Sequence, residues 1–159
     1  MKQLITSAEV ISIAFGTNNT LREEAVPAHT ILAAQRRFVR PVVGEAVFDL
    51  LMAESPIEEC EGFIRDYLKV PLALYVASLM LPTLAVTVGS AGVVRLSGES
   101  FEAADCVALR GAVRRLRHDA EALIDAATEH LASLPTLGAL YRPEENVRSR
   151  TRLTSGIVL

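Results

Sequence analysis

A mainly α-helical fold is predicted for this chain from three observations. Apolar residues recur at spacings of three and four along most of its length. Thr, Ser, Pro and Gly stand where such runs begin and end. One segment breaks the pattern: residues 84 to 96, LAVTVGSAGVVRL, carry two Val-rich runs around Gly89-Ser90-Ala91-Gly92. The expected architecture is a bundle of about five helices with one β-hairpin inserted at about 84–97. Residues 1–134 form the helical domain, and 135–159 form an extended C-terminal arm. At 159 residues, half of them apolar, the chain is the size of one domain and can bury a substantial core.

The first helix starts at Thr6 or Ser7, with Glu9 placed for a capping box on Thr6, and shows an apolar face of Val10, Ile13 and Ala14. It ends near Gly16, before the polar loop Thr17-Asn18-Asn19-Thr20. A second helix starts around Pro27, a good first-turn residue. Ala28, Ile31, Leu32, Gln35 and Phe38-Val39 line one side, Arg36, Arg37 and Arg40 the other, and Pro41 is expected to stop it. A short third helix follows Gly44, with Val47, Leu50 and Leu51 inward.

Ser55-Pro56 opens the fourth helix, with Ser55 as cap, Pro56 in the first turn and Glu58 at the capping-box position. Pro71 is expected to kink or split it. The stretch beyond, Leu72 to Leu81, is apolar on every side and should be the most buried helix. Val70 to Gly89 has no charge over about a bilayer's length. Its prolines and its Thr87-Val88-Gly89 run argue instead for a buried helix leading into the hairpin. The glycines of the hairpin loop suit the positive φ angles of tight connections. The last helix runs from Ser100 or Phe101 to Ser133. Leu109, Val113, Leu116, Ala120, Leu123, Ala127, Leu131 and Leu134 make its seam, and Pro135 ends it. The arm finishes in an apolar tip, Ser155-Gly156-Ile157-Val158-Leu159.

The formal charge of −3 is too small to indicate a nucleic-acid partner for the domain as a whole. It is unevenly placed. Glu45, Asp49, Glu54, Glu58, Glu59, Glu61 and Asp66 face only Arg65 between positions 45 and 66. The arm instead carries Arg142, Arg148, Arg150 and Arg152 against Glu144 and Glu145. Arg110, Arg114, Arg115 and Arg117 form a basic band, expected as a solvated or intersubunit salt-bridge face with Glu102, Asp105, Asp119 and Glu121.

Catalytic signatures are missing from the sequence. It has no phosphate-cradling Gly-rich loop, no Gly-x-Ser-x-Gly elbow, and no Glu-x-x-His pair on His29, His118 or His130. His118, Glu121, Asp125 and Glu129 share one helical face but lack an identifiable second helix of ligands, so a solvated charged face is expected there. Cys60 and Cys106 are expected as two buried, reduced thiols. The N-terminal stretch is a poor signal peptide because Glu9 interrupts it. No enzyme activity, cofactor or metal is expected.

An isolated two-stranded hairpin is marginal in water and must pack on something. An apolar tail tip gains by docking outside its own core, and an acidic region and a basic arm can pair between copies. These features leave two outcomes open: hairpin and arm contact neighbouring subunits, or they fold back on their own domain.

The stretches RPVVGEAVFDLL and YLKVPLALYVASLMLP, followed by the Val/Gly hairpin and a long last helix, resemble the helical head–tail connector (adaptor) proteins of tailed phages. The resemblance is to the version found in phages and prophages of Bacteroides-type bacteria, and covers roughly residues 3 to 135. It implies a structural subunit that assembles with its own copies into a ring between portal and tail proteins. DNA would pass through the channel without specific binding. The expected locations are the virion and, during assembly, the host cytoplasm. On that resemblance Val86, Val88, Gly89, Gly92 and Val94 of the hairpin would be subunit contacts. So would Arg148, Arg150, Arg152, Ile157 and Leu159 of the arm. The alternatives are a soluble helical adaptor with one protein partner, and a membrane-associated protein held by residues 70–89.

Overall fold

The structure is a computed structural model that describes residues 2–16, 20–84, 86–89, 92–95 and 105–149. Helix α1, Ser7–Phe15, starts with the expected capping box: the Glu9 N–H donates to the Thr6 hydroxyl, and the Thr6 N–H donates to the Glu9 carboxylate. Gly16, at a φ of 70°, ends it.

The next helical run joins α2, Ala28–Ala34, to α3, Arg40–Val43, through a π-turn at Gln35–Val39. Pro41 therefore does not stop this helix, contrary to the sequence expectation. A proline in an α-helix loses one N–H bond and crowds the carbonyl four residues back. In the π-turn the Arg40 N–H instead reaches the Gln35 carbonyl, five residues back, so the register is already widened where the ring enters. Gly44, at a φ of 86°, terminates the run and lets the chain turn into α4, Glu45–Leu51.

The same device recurs in the longest helical stretch. Helix α5, Glu58–Phe63, passes through a π-turn at Ile64–Leu68 into α6, Lys69–Leu84. The Lys69 N–H bonds the Ile64 carbonyl, and Pro71 follows inside an unbroken helix rather than splitting it. Ser55 does not cap this stretch. Helix α5 begins two residues after Pro56, with Ile57 at the cap position and no side-chain cap bond.

Helix α6 is the centre of the molecule. Pro71, Leu72, Ala73, Tyr75, Val76, Ala77, Ser78 and Met80 are all buried in it. It packs against α1, α2 and the final long helix α7, Cys106–Leu131. The Glu58–Leu84 stretch is long and apolar enough to cross a membrane by length and composition. Here its apolar side chains are the core that the other helices cover. Tyr75 stacks on Phe38 at 4.2 Å between ring centroids, and burial pushes its phenol up to about 12. Lys69 pairs with Glu9 and ties α1 to α6.

The insertion expected over 84–97 is shorter than that span, because Leu84 closes α6. Beyond it the backbone forms two four-residue strands, β1 Val86–Gly89 and β2 Gly92–Arg95, antiparallel with Thr87 opposite Val94. Among the described residues they join no further strand, and the class is mainly α. The expected start of the last helix at Ser100 or Phe101 lies outside the described residues, as do Thr17, Asn18, Asn19 and Glu102. Asp105 is the N-cap of α7.

The expected seam of α7 needs two corrections. Only its second half is buried, through Ala120, Ile124, Ala127, Thr128 and Leu131; Leu123 stands exposed while Ile124 takes the inward position. From Cys106 to Asp119 no residue is buried. Cys106 is exposed, not buried as expected, because it opens the half of α7 that has no buried residue.

An extended arm from Pro135 is not what the structure shows either. Helix α8, Pro135–Leu140, folds back on the domain and buries Leu137 completely. Gly138 permits this approach: a Cβ there would lie 2.9 Å from the Ala132 carbonyl oxygen. A short 3-10 turn, Pro143–Glu145, leads to the buried Asn146. The folded domain therefore extends to Ser149, past the expected boundary at 134.

Candidate functional site

Most polar groups in the interior are committed to holding the chain together. Gln35, at the start of the first π-turn, is 1% exposed. Its amide oxygen accepts the Leu4 N–H at 2.9 Å, and its amide nitrogen donates to the Lys2 carbonyl. Lys2 in turn donates to the carbonyls of Leu51 and Ala53, capping the end of α4. Burial pushes the Cys60 thiol up, which makes it a poor nucleophile. Among the described residues no group of three or more His, Cys, Asp or Glu side chains is placed to hold a metal ion.

The face formed by His118, Glu121, Asp125 and Glu129 has a different use. Arg148 lies across it: its Nε donates to Asp125 Oδ1 at 2.7 Å, its second nitrogen donates to Oδ2 at 3.0 Å, and Glu121 is 3.6 Å away. This bidentate pair anchors the chain end to α7. The Arg148 N–H donates to Asn146 Oδ1, and Asn146 donates to the Tyr141 hydroxyl. Arg148, expected at a subunit contact, is thus engaged within its own chain. Arg150, Arg152, Ile157 and Leu159 lie outside the described residues, as does the apolar tip. Val86, Val88, Gly89, Gly92 and Val94 lie on β1 and β2, beyond the end of α6.

Part of the acidic middle is also internal. The Glu59 carboxylate accepts the N–H groups of Thr136 and Leu137, at 3.0 and 2.6 Å, and so caps α8. The bond from the Leu137 N–H, followed by that from Thr136, holds this carboxyl below its ordinary value of 4.5. A carboxyl lowered by folding stabilises fully above its unfolded pKa and loses that contribution as pH falls through the folded one. Docking of α8 is therefore expected to hold at neutral pH and to loosen below about pH 4.5. A fall in the protection factor of the Leu137 amide on acidification, taken against the intrinsic exchange rate at each pH and absent in Glu59→Gln, checks this; protection that does not change with pH in the wild type contradicts it. Arg65 pairs with Asp66, and Arg40 with Glu45.

Two surface regions are left in which one sign of charge predominates: the first also holds Glu121, which faces Arg148, and the second Arg65, which pairs with Asp66. The first is an open groove of about 980 Å³ where the end of α6 meets the projecting half of α7. Pro82, Leu109 and Val113 give it an apolar floor, and Arg110, Arg114 and Arg117 a basic rim. Among the described residues none of these arginines has an ion pair; Arg117 donates only to the Ser78 hydroxyl, at 3.4 Å. The second lies at the start of α5. Ile57 is 45% exposed there, beside the exposed carboxylates of Glu54, Glu58 and Glu61. The groove floor escaped the sequence reading because Leu109 and Val113 were assigned to a buried seam.

These features define a mainly helical domain whose core is closed and whose uncommitted groups lie at its surface. Residues 39–151, well over half of the chain, match a family of unknown function, DUF6712, and the chain belongs to that family. The match takes in both RPVVGEAVFDLL and YLKVPLALYVASLMLP. No curated protein and no solved structure matches the chain.

Proposed function

We propose that this protein is a non-enzymatic structural subunit that assembles with its own copies, as the head–tail connectors of tailed phages do. The observation that carries the reading is the projecting end of the molecule. Fourteen residues of α7, Cys106–Asp119, include no buried side chain, and among the described residues the two-stranded hairpin after α6 has no sheet neighbour. Half-covered apolar residues on a free helix and an isolated hairpin both gain by burial against another surface. The sequence resemblance supplies the connector ring between portal and tail, with the hairpin residues Val86, Val88 and Val94 at the contact. Arg148 is paired with Asp125 within its own chain.

The test is the mass of the purified full chain by light scattering across a concentration series, alone and with a portal protein. Ring-sized assemblies, or binding to portal, are the expected result; a monomer under every condition with no portal binding refutes the reading. Deleting Gly89 to Gly92 is expected to leave the helical circular dichroism intact and to impair assembly. A stable 1:1 complex with a host protein, with no self-association, would favour the adaptor alternative, which would bind its partner through the acidic region.

A further inference from the structure

From the two uncommitted surface regions we infer that they are the two halves of one contact: the basic groove of one copy receives the acidic Ile57 corner of the next. Resting on the assembly reading above, this names the surfaces that assembly would use. The predominant charges of the two halves are opposite, and each has an exposed apolar part. The groove has an apolar floor, Leu109 and Val113, beneath Arg110 and Arg114. The corner has an exposed apolar side chain, Ile57, bordered by Glu54, Glu58 and Glu61. Among the described residues these glutamates form no ion pair, although other surface acids do: Glu9, Glu45, Asp66, Glu121, Asp125 and Glu145.

The two halves cannot meet within one molecule. Glu58 begins the continuous α5–α6 helix, and Pro82, at its other end, lines the groove. That helix has 27 residues, which at about 1.5 Å each separates its ends by roughly 40 Å. Complementary patches at opposite ends of a rigid body pair head to tail between copies. Such a heterologous contact closes into a ring or propagates as a filament, according to the rotation between neighbours. Burial of Ile57 on Leu109 and Val113 supplies the apolar centre of the contact, and the charged rims set its register.

Reciprocal charge reversal tests the pairing. One variant carries Arg110→Glu and Arg114→Glu; the other carries Glu58→Arg and Glu61→Arg. All four positions are exposed, and circular dichroism melts confirm that the variants fold. In each variant alone the two halves now repel, and the half-association concentration is expected to rise at least roughly tenfold. Mixed one to one, the variants should regain the wild-type mass distribution, and added salt should weaken both wild type and mixture. Variants that associate as the wild type does, or a mixture that gains nothing, overturn the pairing while leaving assembly itself standing. A wild type that stays monomeric throughout and ignores portal overturns both. Association through these halves without portal binding sustains the pairing and removes the connector reading. Loss of retention on duplex DNA by the arginine variant, with assembly unchanged, makes the groove a phosphate site and also overturns the pairing.

Discussion

Replacing Leu72 with alanine is expected to lower the unfolding free energy by about 3 kcal/mol. Leu72 is fully buried in α6, the helix against which α1, α2 and α7 all pack. Truncation removes its transfer energy and leaves a cavity. The neighbours cannot collapse into that cavity, because several helices hold the surrounding backbone in place. For a chain of this size the loss corresponds to a fall of roughly 6 to 12 °C in melting temperature. Thermal or urea unfolding followed by circular dichroism measures it. An unchanged midpoint would mean that α6 is not the packed centre. Ile57→Ala is the useful contrast. Its side chain is exposed, so the fold should change by less than about 0.5 kcal/mol, whereas self-association should weaken.

The second large effect is expected at Gln35. Gln35→Ala should cost about 2 to 4 kcal/mol, combining a cavity with an orphaned donor. The donor is the Leu4 N–H, whose partner is the Gln35 amide oxygen. Gln35→Leu separates the two contributions, because it restores volume but leaves the N–H unpaired. It should still cost about 1 to 3 kcal/mol. The local consequence is specific: Leu4 and Ile5 are buried, and this bond positions the segment that holds them. Hydrogen exchange at the Leu4 amide should accelerate in both variants. Protection equal to wild type would show that the N-terminal segment is held by packing alone.

The elements most legible in the sequence were those whose signals are local. The Thr6–Glu9 capping box, the stop at Gly16, the short helix after Gly44 and the wholly apolar α6 all follow from neighbours within a few residues. The failures were also local in form, but their causes were tertiary. Pro41 and Pro71 carry the ordinary signature of helix ends. Each lies just beyond a π-turn, and nothing in the residue types of QRRFV or IRDYL announces that register. Ser55-Pro56 reads as a helix start, yet the chain enters the helix two residues later, at Glu58.

The candidate surface was legible only in its charge. The acidic run and the arginine band stand out in the sequence, and so does the long helix that carries the arginines. Which apolar positions of that helix are covered does not stand out. Leu109, Val113 and Ile124 are alike in type, yet only Ile124 is fully buried. In the same way Arg148 belonged to a basic arm on sequence grounds. Its position opposite Asp125, together with Glu59 capping α8, turns most of the described arm into part of the domain.

By itself, then, the sequence determined a mainly helical chain with a central apolar helix, an unusual Val-rich insertion and segregated charge, because periodicity and composition act over short distances. Only the tertiary structure decided that the π-turns carry the helices past their prolines, that residues 135–149 fold back, and that the first half of the last helix buries no side chain. Those outcomes depend on which surfaces meet across the molecule, and no short-range pattern encodes that.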